Sequence, residues 1–270
     1  MNEQQTHQTE TLQATTILPK TARVVIIGGG SVGASVLYHL AKLGWTDVVL
    51  LEKNELTSGS TWHAAGNCPN FVGSWTMMKI QSYSTSLYRE LGELVDYPMN
   101  YHVTGAIRLA HSRQRMEEFR HVERMGRQMG VELQEMSNKE MQDIYPFLET
   151  HDLYGGQWDK YDGDIDPAQL TQALAKGARD MGATIVRFCP VTSVKWNKDE
   201  WTISTPHGDI QAEFVVNAAG YRANELGKMF GRDVPCVSLA HQYLITEAIP
   251  ELTARDSKLP LLRDPDSSYY

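Results

Sequence analysis

The sequence has 270 residues, of which 41% are hydrophobic and 21% charged, and this composition excludes wholesale disorder. With 25 basic and 33 acidic side chains the net charge is −8, so neither nucleic acid nor an anionic membrane surface is an expected partner. No run reaches the roughly 18 apolar residues of a membrane span, so no membrane insertion is expected.

The N-terminal segment and the cysteines indicate where the protein works. Residues 1–21 are polar, without the apolar region of a secretory signal, and we expect a flexible leader there. Cys68, Cys189 and Cys236 lie far apart, which is typical of a reducing compartment and predicts no disulfide framework and no zinc site. We therefore expect a cytoplasmic protein.

The first part of the chain has the pattern of a β-α-β unit. Residues 24–27 form a β-branched apolar run that stops at glycine, as a strand buried on both faces does. A helix is predicted at residues 31–43, where apolar residues recur at helical spacing before Gly44. A second apolar strand is predicted at residues 47–51.

Further helices and strands follow this unit. Residues 55–74 have no period, and a long irregular stretch inside a domain is usually functional. Helices are predicted at residues 75–94, at residues 112–129 with Ser112 as cap, at the capping box Ser137–Glu140, and after Asp166 as N-cap with Pro167 in the first turn. Strands are predicted at residues 104–110, 184–187, 191–196, 200–205, 210–217 and 238–246.

This order predicts an α/β fold in which a Rossmann-like, dinucleotide-binding domain is interleaved with a mostly antiparallel β-sheet domain. The chain stops as a new strand begins near residue 261, without a cap or a closing helix. We therefore expect a chain that is truncated at its C-terminus.

Three glycines form the strongest motif, Gly28-x-Gly30-x-x-Gly33, which follows the first strand and opens the first helix. Gly28 permits the tight turn, Gly30 lets the backbone approach a diphosphate, and Gly33 lets the helix pack on the strand. Glu52, at the end of the second strand, can accept hydrogen bonds from ribose hydroxyls and disfavours NADP. The motif alone leaves FAD and NAD open.

The segment Gly59-Ser60-Thr61-Trp62-His63-Ala64-Ala65-Gly66 resembles that of the dimethylglycine and sarcosine dehydrogenase family, flavoproteins of the D-amino-acid-oxidase-like superfamily. That family joins the histidine of this motif covalently to the 8α carbon of FAD. The resemblance implies that FAD is the cofactor and that His63 is its attachment residue, whereas a lone histidine is otherwise more often structural.

Three further segments resemble this family, and the likeness runs from about residue 22 to the end. Residues 216–221 resemble the second dinucleotide-contacting turn, and residues 162–167 the stretch that leads into the substrate region. His241 matches a histidine near the flavin ring, although the alternation of its strand also permits a structural role. Tyr269 best matches a tyrosine that faces the substrate, with Tyr270 as the alternative one residue away.

The resemblance thus implies His241 and Tyr269 as catalytic residues, together with a set of cofactor-binding residues. That set is Gly28, Gly30, Ser31, Val32, Gly33, Glu52, Lys53, Ser60, Thr61, His63, Ala64, Ala65, Gly66, Val191, Ala219 and Gly220. It also implies FAD-binding parts at about residues 22–100 and 165–235, and substrate-domain parts at about 101–164 and 236–270. No metal is expected, because Asp162, Asp164 and Asp166 lack the glycine and bidentate glutamate of a calcium loop.

The implied reaction is oxidative N-demethylation of a small N-methylated amino acid, dimethylglycine or sarcosine, within one-carbon metabolism. A hydride passes from the N-methyl carbon to N5 of the flavin, and a separate electron acceptor reoxidises the cofactor. Tetrahydrofolate joins the scheme only where a C-terminal folate-binding domain is present, and a eukaryotic relative would work in the mitochondrial matrix. The alternatives are a non-covalent FAD amino-acid or amine oxidase, a truncated flavin-binding module without turnover, and an NAD-binding regulatory protein.

Overall fold

The computed structural model describes residues 16–70, 72–240 and 242–267. Contacts between residues divide the chain into two compact units. Unit 1 comprises Met1–His63 and Thr171–Ser238, and unit 2 comprises Ala64–Leu170 and Leu239–Tyr270. The first division therefore falls at His63 instead of near residue 100, and the assignment of the parts to cofactor and substrate stays a prediction.

Both units combine helices with strands. The strands are β1 (Thr21–Ile27), β2 (Val48–Leu51), β3 (Asn67–Cys68), β4 (Tyr101–His102), β5 (Ala106–Ala110), β6 (Leu133–Met136), β7 (Gly155–Asp159), β8 (Gly163–Ile165), β9 (Thr184–Val186), β10 (Ser193–Asn197), β11 (Glu200–Thr205), β12 (Gly208–Asn217) and β13 (Leu261–Arg263). The α-helices are α1 (Ser31–Lys42), α2 (Trp75–Leu94), α3 (Arg113–Gln128), α4 (Asn138–Ile144), α5 (Pro167–Asp180), α6 (Ala223–Met229) and α7 (Pro250–Thr253). Short 3₁₀ helices cover Ser60–His63 and Gly220–Arg222.

Unit 1 is built on a six-stranded sheet in the order β10-β11-β12-β1-β2-β9. The strands β12, β1, β2 and β9 run parallel, and β10-β11-β12 form an antiparallel meander. Residues 24–27 of β1 and all of β2 are apolar runs whose side chains are buried on both faces, as strands in the middle of a parallel sheet are. The predicted β-α-β unit and the α/β class are thereby confirmed.

Unit 2 contains two smaller sheets. One has the order β13-β5-β7-β6, with β5, β7 and β6 antiparallel and β13 parallel to β5. The other is the antiparallel sheet β3-β8-β4. Ile107 of β5 and Met141 of α4 are fully buried in the core of the first sheet. The expectation of a mostly antiparallel second region is confirmed.

The predicted helix starts are confirmed by their hydrogen bonds. Ser112 Oγ accepts from the Arg115 N–H at the start of α3. Ser137 and Glu140 form the reciprocal capping box of α4. Asp166 Oδ1 accepts from the N–H groups at positions 168 and 169, at 2.8 and 3.0 Å, at the start of α5.

Two expectations were wrong. The structure places residues 238–240 and 242–246 in no strand, and Leu239 and Leu244 are each 87% exposed. An apolar run becomes a strand only where a neighbouring strand takes up its backbone N–H and C=O groups. The expected leader is also too long, because β1 begins at Thr21 and Leu18 packs against the core of unit 1. Residues 1–15 of that leader lie outside the described residues.

Across the described ranges, no helix is both long enough and apolar enough to cross a membrane.

Candidate cofactor-binding site

The carboxyl ends of three parallel strands meet at Gly28 in unit 1. Its N–H donates to Leu51 O at the end of β2, and the Ala218 N–H after β12 donates to Ile27 O at the end of β1, both at 2.9 Å. Gly28 has φ +118°, and a Cβ atom there would lie 2.3 Å from Ala218 O. The turn therefore requires glycine both for its conformation and for its space.

The N-terminus of α1 opens directly after this turn. Gly30 is its N-cap residue, and the Ser31 N–H donates to Thr61 Oγ1 at 3.0 Å. A Cβ atom on Gly33 would lie 1.9 Å from Gly28 O, so the first turn of the helix sits against the loop. Val32, in the same turn, is 66% exposed. The helix thus begins with its positive dipole end at an open position of the loop.

Glu52 is buried at the end of β2 and fixes the loop. Its Oε2 accepts from the Gly29 N–H at 2.6 Å, and its Oε1 accepts from the Asn54 N–H at 2.8 Å. Each carboxylate oxygen keeps a second lone pair, so further acceptance from ribose hydroxyls is compatible with both bonds. Lys53, the next predicted residue, is exposed.

The segment that carries His63 is hydrogen-bonded to the glycine loop at two points. The Thr57 N–H donates to Gly29 O at 3.0 Å, and Thr61 Oγ1 accepts from Ser31. His63 ends the 3₁₀ helix that starts at Ser60, and its exposed ring lies 3.9 Å, centroid to centroid, from that of Trp62. The structure therefore holds the imidazole on a short helix anchored at the start of α1.

Asn217 shapes the second predicted turn. Its Oδ1 accepts from the Ala219 N–H at 3.2 Å, and its Nδ2 donates to Ala223 O at 2.8 Å. Gly220 has φ +57°. Because β12 and β1 are parallel neighbours, this turn follows the strand beside the one that ends at Gly28.

The structure brings together most of the predicted residues of unit 1, and three other predicted residues belong to unit 2. Val191 packs against the core of unit 1. Ala64, Ala65 and Gly66 belong to unit 2, where a Cβ atom on Gly66 would lie 2.0 Å from Ile165 O. The predicted catalytic residues His241 and Tyr269, with the alternative Tyr270, lie outside the described residues.

Sequence reasoning missed two groups of polar residues. Asn217 lies in the segment 216–221 that resembles the second dinucleotide-contacting turn but is absent from the predicted cofactor-binding set, although an asparagine at such a turn is a signal for side-chain hydrogen bonds to the backbone. In unit 2, the buried acids Asp159 and Asp162 lie beside the half-buried arginines Arg108 and Arg263. Only the fold reveals that set, because both arginines are far from the two acids in the sequence.

FAD fits the residues of unit 1. The space above Gly30 is one that a side chain would fill, since a Cβ atom there would lie 2.9 Å from Thr61 Oγ1. A helix N-terminus and an acidic side chain flank this glycine, which is the donor and acceptor set that a dinucleotide needs.

The parallel sheet, the glycine loop at a helix start and the acidic residue after the second strand define a Rossmann-type dinucleotide-binding protein. Residues 23–270 match the model of the family described as FAD dependent oxidoreductase (DAO), and the chain belongs to that family.

Individual relatives and a solved structure agree with this assignment. Mitochondrial dimethylglycine dehydrogenase of Rattus norvegicus is 44% identical over 250 residues, which cover 92% of this chain and 29% of that protein. Mitochondrial sarcosine dehydrogenase of Homo sapiens is 38% identical over 260 residues, covering 94% of this chain and 28% of that protein. The crystal structure of L-proline dehydrogenase from P. horikoshii superposes with a TM-score of 0.79 at 24% identity, covering 92% of this chain and 65% of that one. The last likeness shows the fold, and the chain spans less than a third of the length of the two relatives.

Proposed function

We propose that this chain is the flavin-binding part of an enzyme that oxidatively demethylates dimethylglycine or sarcosine, with FAD joined covalently through His63. The relatives at 44% and 38% identity support the reaction class by their names. The observation that carries the attachment is the anchoring of the His63 helix to the N-terminus of α1 through Thr61. A cofactor that is attached to His63 and also binds at the glycine loop requires the His63 helix to be held close to that loop.

The residues of unit 1 divide the work of holding the cofactor. The N-terminus of α1 binds the diphosphate, Glu52 binds the adenosine ribose, and the turn at Ala219 and Gly220 closes on the dinucleotide from β12. When bound, FAD supplies a two-electron acceptor for the hydride of the N-methyl carbon.

The substrate-facing roles belong to two residues that sequence resemblance implies. His241 accepts the proton of the substrate amine, because the nitrogen lone pair must be free when the hydride leaves. Tyr269 faces the substrate and orients it. Loss of the hydride converts the substrate to an iminium ion, which water hydrolyses to formaldehyde and the demethylated amine.

The test is the flavin content of purified protein after acid precipitation. We expect the pellet to stay yellow and the peptide that contains His63 to carry the mass of FAD. The variant His63→Ala should release all its flavin, whereas His207→Ala, which removes another exposed imidazole of unit 1, should retain it. Complete release of flavin from the unmodified protein would contradict covalent attachment and favour a non-covalent amine oxidase.

The substrate class is tested on the same preparation. We expect dimethylglycine or sarcosine to bleach the flavin under anaerobic conditions and to yield formaldehyde on turnover. A flavin that neither amine reduces would contradict the proposed reaction, and would leave a flavin-binding module without turnover.

A further inference from the structure

Thr57 has a backbone conformation that threonine rarely adopts. Its φ is +72°, in the left-handed region, where a β-branched side chain is a genuine outlier. Such a conformation persists only where the surrounding contacts determine it. Thr57 lies in the turn that leads from the end of β2 to the 3₁₀ helix Ser60–His63, which we call the His63 helix. The contacts that hold this turn therefore show what its conformation serves.

The two backbone polar groups of Thr57 connect the glycine loop to the His63 helix. The Thr57 N–H donates to Gly29 O at 3.0 Å, and the Thr57 carbonyl oxygen accepts from the Trp62 N–H at 3.4 Å. Gly29 is itself held, because its N–H donates to Glu52 Oε2 at 2.6 Å. One residue thus bonds on one side to the loop and on the other side to the residue before His63.

Leu56 fixes the chain on the other side of this turn. Its side chain is only 3% exposed, and a Cβ atom on Gly29 would lie 2.6 Å from Leu56 Cδ2. The chain therefore enters Thr57 from a packed position against the glycine loop. Any other φ at Thr57 would send residues 58–63 in another direction, because everything after a residue turns with its dihedral angles.

A second connection joins the same two parts, through the Ser31 N–H and Thr61 Oγ1. The Ser31 N–H belongs to the helix start that binds the diphosphate in the proposed function, so this bond is open to exchange for one to the cofactor. The bonds of Thr57 use no N–H group of that helix start. They keep the His63 helix in place when the diphosphate is bound.

We infer that Thr57 is a positioning residue: its left-handed backbone holds the His63 helix at a fixed place beside the glycine loop, so that a cofactor bound in that loop reaches the imidazole. The inference rests on the proposed function, because it takes His63 as the attachment residue. In the attachment, His63 gives up the proton of one ring nitrogen and bonds the 8α carbon, which also gives up a proton. The two electrons left behind enter the flavin and pass on to dissolved oxygen.

The first arm of the test measures hydrogen exchange in peptides that cover residues 58–63. It uses the complete protein in a His63→Ala background with excess FAD, where no covalent bond restrains the helix. Thr57→Gly leaves the left-handed region without steric cost and should exchange faster there. Thr57→Asn, whose side chain tolerates this conformation, should exchange like the unmodified residue.

Lys198→Gly is the matched control. Lys198 also has a left-handed backbone, with φ +58°, but it lies in the exposed turn between β10 and β11 of the same unit. Its replacement should change nothing in residues 58–63. Because glycine relieves a left-handed residue of strain, neither Lys198→Gly nor Thr57→Gly should lower the midpoint of urea unfolding.

The second arm measures covalent attachment with His63 present. Protein produced without flavin is mixed with FAD, and the flavin that stays in the acid pellet is followed with time. Thr57→Gly should attach flavin about 10- to 100-fold more slowly, the range expected for a displaced reacting group, although it is no less stable. Thr57→Asn and Lys198→Gly should attach it at the rate of the unmodified protein.

Several results would overturn the inference. Attachment at the unmodified rate, or undisturbed exchange, in Thr57→Gly would show that the conformation does not hold the helix. Equal slowing in Thr57→Asn would assign the effect to the side chain, and a lowered urea midpoint in Thr57→Gly would assign it to lost packing. If the unmodified protein attaches no flavin, the proposed attachment fails before any variant is compared, and the exchange arm still decides whether Thr57 holds the helix.

Discussion

Single residues of this chain meet several requirements at once, and Glu52 is the clearest case. The sequence predicts an acceptor for ribose hydroxyls, and the structure adds that the carboxylate already accepts from Gly29 and Asn54. The Glu52 side chain is only 8% exposed, and its carboxylate takes the place of water as the hydrogen-bond acceptor for these two backbone N–H groups. The residue that binds the cofactor in our proposal therefore also builds the loop that receives it.

Replacing Glu52 by alanine should weaken both functions. Each buried N–H left without an acceptor costs about 1–3 kcal/mol, so the free energy of unfolding in urea should fall by that order. Affinity for FAD should fall by about 1.5–3 kcal/mol, the range for hydrogen bonds to a charged group. Binding is measured in a His63→Ala background, where no covalent bond hides the equilibrium.

Glu55→Ala provides the control for this prediction. Glu55 pairs with Arg187 at the surface of the same unit, so its loss should change the unfolding free energy by less than about 1 kcal/mol. Unchanged FAD affinity in Glu52→Ala would contradict the ribose role and leave Glu52 with a purely structural one.

At the scale of elements, the helices follow local rules closely. α2 spans the predicted residues, and the starts of α3, α4 and α5 coincide with side chains that cap them. These signals are local, because a cap and its N–H partners lie within three residues of each other.

The N-cap of α5 gives a testable magnitude. Asp166→Ala removes the acceptor for two N–H groups of the first turn and should lower the free energy of unfolding by about 1 kcal/mol, within the range of roughly 0.5–2. Asp180→Ala, at the other end of the same helix, breaks only an exposed pair with Lys176 and should cost less than about 0.5 kcal/mol. Equal losses in urea titrations of the two variants would contradict the capping role.

At the scale of the whole molecule, the two units place their charged groups differently. Among its described residues, unit 1 has one buried acid, Glu52, which hydrogen-bonds to backbone, whereas unit 2 buries Asp159 and Asp162 beside arginines. Burial raises the pKa of both acids of unit 2, which makes the stability of the molecule sensitive to mildly acidic pH.

Asp162 sets the sign of that sensitivity. Its pKa rises from 3.8 to about 6 on folding, so the folded state binds its proton more tightly than the unfolded state does. The contribution of Asp162 to the free energy of unfolding is fully present below pH 3.8 and is lost as the pH rises through 6. The free energy of unfolding falls by at most about 1.4 kcal/mol for each pH unit in this window. Asp162→Asn does not titrate, and it should therefore gain stability relative to the unmodified protein across this window.

The measurement is urea unfolding of both proteins at several pH values between about 4 and 6.5. Acids with a lowered pKa, such as Asp264 and Asp266, contribute to the pH dependence of stability with the opposite sign. Their contributions are the same in both proteins and therefore cancel in the difference. A difference between the two proteins that does not change with pH would contradict the raised pKa.

The sequence by itself determined the elements and motifs whose causes are local. The glycine spacing, the apolar runs of β1 and β2, the helix caps and the family likeness all lie within short segments, and the structure and the family match agree with them. The same reasoning missed β7, whose Gly155-Gly156-Gln157 has little strand propensity, because its pairing partners β5 and β6 decide its conformation.

Only the tertiary structure decided which distant residues meet. It denied a strand to the apolar residues 238–246 that it describes, because a strand is stabilised by a neighbour and not by its own composition. It also joined Asp162 to Arg263, which are 101 residues apart. A buried charge needs an opposite charge close to it in space. Which residue of the chain supplies that charge is decided by the order of the strands in the sheet, and not by distance along the sequence.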